Sequence, residues 1–459
     1  QRGEIDQTTN TFYWDCVDSN QKSTLYTVDL ATGQLTEIGD FANNNIISLL
    51  TIPKAKAADG APAAIDQMHF DFVDGSLSGH IQFTAPSKNF AGGNLTDSKL
   101  TYTILNDKEE IAKGGTKPGA AVSQPVTLNK GYNTITIIVS NGEGPSPKFA
   151  SRYYAGFDTP KPVVNAHTSV DTNTGKATVT WEAPAGGQNE GYVGELTYDI
   201  KRYPEGKVIK TGHVGTMFED TLPEGETAVY GYGITPNNHG TMGEEMVSNY
   251  VSYGAPITPP FANGFESEAD LAYFKVIDAD NDGITWGIEE PGMFNDNDGF
   301  ARILRGEEKH SFNDWLVSPA LHVKANHKYK ISFRLSGRYK YYEEQFEVKY
   351  GTAPTPEAMT KTLMPQTMIK RSDFEAVTLT LDADKDETIY LGFHALSVKP
   401  EAMGVKIDDV VMTAGVDFFA PDQVTGLEAE ADPQGALSTQ ITFTAPTKRL
   451  NGETLDKIT

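Results

Sequence analysis

The chain has 459 residues, and its 62 acidic and 38 basic side chains give a formal charge of −24. That charge repels polyphosphate and leaves no basic stripe, so nucleic acid is not an expected partner. A single cysteine excludes an internal disulfide framework, and no apolar run approaches the roughly 18 residues of a membrane span. The length suits about three or four domains, and the N-terminus lacks an apolar signal core, so we expect a mature form or a fragment.

The first 60 residues contain one hairpin signal. Segment 23–39 alternates apolar and polar residues on both sides of a Thr32-Gly33 turn, which is typical of two antiparallel strands. The pattern predicts the last blade of a β-propeller, over residues 1–60. The alternative is a short extra hairpin that docks on the next domain, because a single blade has no neighbours with which to stack.

An internal repeat organises the rest of the chain. Segments 80–86, 178–184 and 440–446 each place an aliphatic residue five positions before a proline and an aromatic residue three positions before it. Both residues therefore face one side of a strand that an Ala-Pro pair ends. The first two prolines, Pro86 and Pro184, are 98 residues apart, as are the closing glycines Gly156 and Gly254. Two whole repeats therefore lie next to each other.

Each repeat has the length and turn spacing of a small β-sandwich. An aromatic early strand with its Ala-Pro loop, and a tyrosine-bearing strand that leads to an Asn/Gly turn, resemble fibronectin type III domains. The resemblance implies such domains over residues 61–157 and 158–257. A third copy starts in residues 418–459. Half a sandwich cannot bury its core, so we expect the natural protein to continue beyond residue 459.

A different domain fills residues 258–417 and carries the most distinctive motifs. The motifs are Gly264-Phe265-Glu266, Asp278-Ala279-Asp280-Asn281-Asp282-Gly283, Asn313-Asp314-Trp315-Leu316-Val317-Ser318-Pro319 and Val405-Lys406-Ile407-Asp408-Asp409-Val410. Their order resembles the cleaved adhesin / choice-of-anchor J family of secreted Bacteroidetes proteins, and more distantly the MAM domain. The resemblance implies a jelly-roll β-sandwich used in surface adhesion or ligand binding. The expected fold is thus all-β and multidomain, with fibronectin type III-like sandwiches flanking a jelly roll after an N-terminal propeller-blade-like hairpin.

Two sets of carboxylates in this domain are candidate calcium ligands. Asp278, Asp280 and Asp282, with Glu289 at the twelfth position, have the spacing of an EF-hand loop, in which alternate carboxylates wrap one hard cation. A true EF-hand is not expected, because Thr285 stands where position eight needs an apolar residue. Glu266 and Asp408 form a rival pair, since related jelly rolls place their first and last strands side by side. The competing interpretation of both sets is a solvated acidic surface.

An aromatic segment between two alternating strands is a candidate ligand site. Residues 337–344 predict a loop whose tip carries Arg338, Tyr339, Tyr341 and Tyr342. Tyrosine faces can stack on sugar rings, and adjacent charges can orient hydroxyl groups. The alternative is that these tyrosines cover the edge of the sandwich. Trp286 and Trp315 are expected to be core residues.

No catalytic signature is present in the sequence, which has no His-Glu-x-x-His, no Gly-x-Ser-x-Gly and no phosphate-binding glycine loop. The sequence therefore predicts a non-catalytic, extracellular or surface-attached binding region that engages an extracellular protein or glycan through the jelly roll. One alternative is an accessory region of a larger secreted protease or glycoside hydrolase. Another is a structural stalk without a ligand.

Overall fold

The structure is a computed structural model in which almost every element is a β-strand. It describes residues 2–6, 11–17, 23–29, 32–40, 57–96, 99–289, 298–305, 311–400, 402–432, 434 and 437–455. The chain forms two compact units, one of residues 1–158 and 187–194, the other of residues 159–186 and 195–459. The expectation of an all-β, multidomain fold is confirmed. In the part of the chain that the structure describes, no helix is long and apolar enough to cross a membrane.

The N-terminal segment forms one antiparallel sheet in the first unit, with its strands in chain order. A turn joins the third and fourth strands: the N–H of Gly33 donates to the carbonyl of Asp29 at 2.7 Å, and Gly33 has a φ of 72° that favours glycine. A propeller blade remains a prediction, and residues 41–56 of this segment lie outside the described ranges. The strands are β1 (Arg2–Asp6), β2 (Thr11–Val17), β3 (Ser23–Val28) and β4 (Leu35–Asp40).

The first repeat is a sandwich of two sheets in the first unit. Alternate residues of its strands are buried, and Phe83 packs edge-on against Tyr102 at 5.4 Å between ring centroids. The strands are β5 (Met68–Phe72), β6 (Ser78–Thr84), β7 (Leu100–Asn106), β8 (Glu109–Thr116), β9 (Ala121–Thr127), β10 (Gly131–Asn141), β11 (Gly144–Pro145) and β12 (Phe149–Ala155). One sheet has the order β5-β6-β9. The other has the order β11-β10-β7-β8, with β12 also paired to β10.

The second repeat has the same arrangement in the second unit. Trp181 packs edge-on against Tyr198 at 5.1 Å, so it is the counterpart of Phe83. The strands are β13 (Val164–Asp171), β14 (Lys176–Glu182), β15 (Thr197–Tyr203), β16 (Lys207–His213), β17 (Met217–Thr221), β18 (Ala228–Asn238), β19 (Thr241–Met242), β20 (Met246–Val247) and β21 (Val251–Tyr253). The sheets have the orders β13-β14-β17 and β16-β15-β18-β19, with β20 and β21 also paired to β18. Both aromatic residues are buried as predicted, with 5% and 4% exposure.

The domain that follows the second repeat is a two-sheet β-sandwich in the second unit. Its elements are β22 (Phe261–Asn263), α1 (Glu268–Leu271), β23 (Lys275–Asp278), β24 (Gly287–Glu289), β25 (Phe300–Leu304), β26 (Asp314–Val317), β27 (Leu321–Val323), β28 (His327–Gly337), β29 (Glu344–Gly351), a 3₁₀ turn (Pro356–Ala358), β30 (Lys361–Ile369), β31 (Glu375–Ala383), β32 (Glu387–Ala395), β33 (Gly404–Met412) and β34 (Val416–Asp417). We call this sandwich the jelly roll.

The jelly-roll sheets enclose one large apolar core. The first sheet has the order β24-β25-β33-β28-β31, with β22 on β33 and β34 on β28, and the second has the order β23-β26-β32-β29-β30, with β27 on β32. Phe333 of the first sheet packs edge-on against Phe393 of the second at 5.3 Å. Trp286 and Trp315 are buried, as expected. The opening strand β22 pairs with the closing strand β33, so Phe261 lies opposite Met412.

A two-stranded ladder lies at the end of the described chain. Strand β35 (Thr425–Ala431) pairs with strand β36 (Thr439–Thr444), which carries the third copy of the repeat motif. Ile441 and Phe443 occupy the positions of Ile81 and Phe83, yet they are 60% and 56% exposed. The boundaries of the five predicted domains remain predictions.

We predict that Trp181→Ala destabilises the second repeat by about 3–5 kcal/mol, because it leaves a cavity in a close-packed core. The measurement is chemical denaturation followed by circular dichroism. Val214→Ala is the control, since Val214 is 76% exposed and its truncation is expected to change stability by no more than about 0.5 kcal/mol. Equal midpoints for the two variants would contradict the assignment of Trp181 to the core.

Candidate functional site

The acidic loop follows β23, the edge strand of the second jelly-roll sheet. Asn281 and Gly283 have φ values of 57° and 80°, and these two residues turn the chain back. The carboxylate of Asp278 accepts a hydrogen bond from the N–H of Gly283 at 2.9 Å. The result is that carboxylate oxygens of Asp278, Asp280 and Asp282 all lie within 4.8 Å of one another. The structure thus brings together three of the four residues that the loop spacing predicted.

The pKa values of Asp278 and Asp280 shift in opposite directions. Burial raises the pKa of Asp280, and the adjacent Asp278 and Asp282 raise it further. Burial also acts on Asp278, but hydrogen bonds from the N–H of Gly283 and from neighbouring loop groups lower its pKa. A divalent cation in the loop would convert this repulsion into attraction.

Asp314 is a fourth carboxylate beside the loop, and the sequence reasoning missed it. It lies directly opposite Asp278 in the pairing of β23 with β26, so the two side chains share a face. Asp314 is fully buried, its Oδ2 accepts from the N–H of Asn313 at 3.1 Å, and the side chain of Thr285 forms a further hydrogen bond with its carboxylate. Burial raises the pKa of Asp314 to about 7, and the charges of Asp280 and Asp278 contribute.

A buried carboxylate costs free energy unless a cation, a proton or hydrogen bonds compensate it. Asp314 is therefore a candidate fourth oxygen ligand beside the loop, although it lies outside the group whose oxygens are all within 4.8 Å of one another. Hard oxygen donors of this kind are those that Ca²⁺ prefers.

The structure does not bring Glu289 to this cluster, which corrects the prediction that Glu289 is a ligand at the twelfth position of the loop. Residues 287–289 form strand β24, which pairs with β25 in the first sheet, whereas Asp278 ends a strand of the second sheet. Glu289 is buried and forms an ion pair with Arg302. The EF-hand register needs a helix at this point, and an extended strand instead carries Glu289 to the other sheet.

The rival pair, Glu266 and Asp408, lies in a second cluster, where Arg334 supplies the positive charge. Its guanidinium forms ion pairs with Asp298, Asp408 and Asp409. Glu266 accepts a hydrogen bond from the N–H of Gly299 at 3.1 Å and also contacts Asp298. The first and last strands do lie side by side, as the resemblance implied. Among the described residues, however, the positive charge in this cluster is the guanidinium of Arg334.

Burial and charge oppose each other at Asp408, which is only 1% exposed. Burial raises its pKa to about 7, although the N–H of Asp409 and the charge of Arg334 act in the opposite direction. Asp298, which is more exposed, has a pKa lowered by its hydrogen bond to Arg334. Arg334 is thus the residue that allows three carboxylates to converge on the outer face of β28 and β33.

The aromatic segment is a loop, as predicted, between Gly337 at the end of β28 and Glu344 at the start of β29. Tyr341 is 76% exposed and Tyr339 is 41% exposed, whereas Tyr342 is half-buried. The ring centroids of Tyr339 and Tyr342 are 6.1 Å apart. The guanidinium of Arg338 lies 5.1 Å from the centre of the Tyr339 ring, and Lys340 Nζ lies 5.1 Å from that of Tyr341. The four candidate residues therefore lie in one loop, which we call the tyrosine loop, and Tyr339 and Tyr341 are its exposed members.

Hydrogen bonds fix both ends of the tyrosine loop. The N–H of Gly337 donates to the carbonyl of Arg371 at 3.0 Å, and the N–H of Arg338 donates to the carbonyl of Gly404 at 2.8 Å. Glu344 is fully buried, and its carboxylate accepts from the N–H groups of Met403 and Gly404 at 2.8 and 2.7 Å. A binding loop held in this way loses little conformational entropy when a ligand binds.

The family comparison concerns the jelly roll. Residues 260–394 match the family model described as Cleaved Adhesin Domain. The sequence resemblance to that family is therefore confirmed for this part of the chain. No curated protein matches the chain.

Many solved structures align with about a third of the chain, and three of them illustrate the similarity. The K1 Cleaved Adhesin domain of Lys-gingipain from Porphyromonas gingivalis W83 is 20% identical, with 34% of this chain and 98% of that chain covered and a TM-score of 0.28. The K3 domain of the same protein is 17% identical, with 33% and 98% covered and a TM-score of 0.27. The CBM22-1-GH10 modules of Clostridium thermocellum xylanase 10B, complexed with xylohexaose, are 13% identical, with 34% and 28% covered and a TM-score of 0.25. At these scores the alignments add nothing to the family match.

We predict that Arg334→Met destabilises the jelly roll by about 3 kcal/mol, the lower end of the range for removing one partner of a buried ion pair, since Arg334 itself is partly exposed. Lys370→Met is the matched control, because its ion pair with Glu343 is exposed and is worth no more than about 1 kcal/mol. Thermal melting measures both variants. A loss for Arg334→Met no larger than the control's would contradict the role given to Arg334.

Calcium in the same experiment tests the rival site. If Glu266 and Asp408 can hold the ion, millimolar calcium should restore the melting temperature of Arg334→Met more than it raises that of the parent protein. An equal effect on both proteins would exclude this cluster as a calcium site.

Proposed function

We propose that this chain is the non-catalytic binding region of a secreted or surface-attached protein. In this proposal the jelly roll engages an extracellular protein or glycan through the tyrosine loop. The observation that carries the proposal is the exposed, hydrogen-bonded loop of Arg338, Tyr339, Tyr341 and Tyr342 on a domain that matches the Cleaved Adhesin family. Rigid, exposed tyrosines supply a large contact area at a low entropic cost.

The flanking repeats act as spacers that carry the jelly roll away from its point of attachment. Support comes from their sheet orders, since a three-stranded sheet facing a larger one is typical of fibronectin type III-like and related sandwiches. Their cores are apolar, and their polar interactions are ion pairs and capped turns that need no ligand. Localisation outside the cell, in a Bacteroidetes-type surface protein, follows from the family resemblance and forms part of the proposal.

We also propose that the jelly roll binds calcium through Asp278, Asp280 and Asp282, with Asp314 as a fourth ligand. Support comes from the convergence of the three loop carboxylates and from the buried carboxylate of Asp314, which lies opposite Asp278 in the sheet. Magnesium fits less well, because it demands a tight octahedron and releases its waters reluctantly. The ion would tie the loop after β23 to strand β26 and so stabilise the edge of the second sheet.

Binding through the tyrosine loop predicts that the triple variant Tyr339→Ala, Tyr341→Ala, Tyr342→Ala loses ligand binding without unfolding. An array of extracellular matrix proteins and glycans measures binding, and circular dichroism checks the fold. Tyr192→Ala is the control, as an exposed tyrosine outside the jelly roll. If the triple variant bound every ligand as the parent does, the tyrosine loop would not be the binding surface.

Calcium binding predicts a higher melting temperature in calcium than in chelator. Extracellular modules bind calcium at about 0.1–1 mM, and a ligand at 100 times its dissociation constant stabilises the native state by about 2.7 kcal/mol. The double variant Asp280→Asn, Asp282→Asn should lose this difference. The control Glu428→Gln, Glu430→Gln should keep it, since both residues are exposed on β35 and the charge change is the same. A parent protein that melts identically in calcium and in chelator would refute the proposal.

A further inference from the structure

The tip of the tyrosine loop has a charge opposite to that of the whole protein. Residues 338–342 contain two cations, Arg338 and Lys340, and no carboxylate, whereas the chain as a whole carries a formal charge of −24. In an acidic protein, a positive charge on an exposed loop is not expected from composition.

Three other arginines of the jelly roll have carboxylate partners, whereas Arg305 donates to Met403 Sδ. Arg302 pairs with Glu289, Arg334 with three aspartates, and Arg371 with Glu375. Among the described residues, no carboxylate lies within ion-pair distance of Arg338 or Lys340. Each cation instead lies over the ring of a tyrosine, at 5.1 Å from its centre. The loop therefore presents two positive charges that no carboxylate of the described residues neutralises, each beside an aromatic ring.

This surface matches a polymer of sugar rings that carry negative charges. A pyranose ring offers an apolar face that can stack on an exposed tyrosine, and Tyr341 leaves most of its ring surface open to solvent. A carboxylate or sulfate on that sugar can then form a charge-assisted hydrogen bond with Arg338 or Lys340. A neutral glycan would offer these cations only hydroxyl acceptors, which form weaker hydrogen bonds with them than carboxylates or sulfates do.

We propose that the tyrosine loop binds an acidic polysaccharide, with Tyr339 and Tyr341 stacking on its sugar rings and with Arg338 and Lys340 pairing with its carboxylate or sulfate groups. This inference rests on the function proposed above and specifies its ligand class. The loop is formed before the ligand arrives, because the carboxylate of Glu344 and the carbonyls of Arg371 and Gly404 hold its ends.

The experiment is affinity electrophoresis, confirmed by calorimetry, of the 459-residue chain against four polymers. Heparin tests sulfate, polygalacturonate tests carboxylate, xylan is the neutral glycan, and polyglutamate is an acidic polymer without sugar rings. The test variant is Arg338→Gln, Lys340→Gln. The control is Lys328→Gln, Lys385→Gln, which removes two lysines that pair with Asp382 and Glu387. Both variants lower the net charge by two, so any difference between them reports local contacts and not long-range repulsion.

The proposal predicts that the parent and the control bind heparin or polygalacturonate, and that the test variant binds at least about tenfold more weakly. Binding of xylan that is lost in the tyrosine triple variant but unchanged in the test variant would overturn the acidic-ligand inference and keep the proposed function. Binding of polyglutamate as tight as that of the acidic glycans would overturn the inference in favour of an acidic protein. If none of the four polymers binds, the inference fails, and the matrix-protein array then decides the proposed function separately.

Discussion

The repulsion between converging carboxylates is the constraint on which the jelly roll depends. An acidic chain that folds into a two-sheet sandwich brings the ends of several strands together, and aspartates lie at those ends. The structure meets the problem in two ways. Arg334 neutralises Asp298, Asp408 and Asp409 from within the chain. Around Asp278 the described residues supply no ion pair, and the N–H groups of Asp282 and Gly283 donate to its carboxylate instead.

Much of the fold could be predicted from the sequence, because strand burial follows a period of two. The positions of Phe83 and Trp181 followed from repeat spacing alone, and the alternating strands on both sides of the tyrosine loop fixed its ends. The residues that balance charge could not be found in this way. Arg334 has the pattern of any outward-facing strand residue, and its role depends on the pairing of β28 with β33. Asp314 could not be identified from the sequence either, because only its register opposite Asp278 brings it to the acidic loop.

The error at Glu289 has the same origin. The EF-hand spacing rule assumes that the chain enters a helix near the twelfth position, where the rise per residue is small. The residues around Glu289 are instead extended and advance about 3.3 Å each. Glu289 therefore reaches the other sheet, where Arg302 pairs with it. Spacing in sequence predicts coordination only when the backbone between the ligands adopts the conformation that the rule assumes. The first three aspartates satisfy that condition, because a turn at Asn281 and Gly283 holds them together.

The pairing of β22 with β33 has a mechanical consequence. Phe261 lies opposite Met412, so the segments that enter and leave the jelly roll run side by side in one sheet. Outside this ladder, Ile257 bridges to Leu321 and β34 pairs with β28. A tensile force transmitted along the polypeptide, as in a cell that resists flow, would load these short outer pairings first and would then open the three-residue ladder one pair at a time. The tyrosine loop lies at the opposite end of β33, where Gly404 accepts from Arg338. The terminal pairings would therefore yield before the tension reached the tyrosine loop.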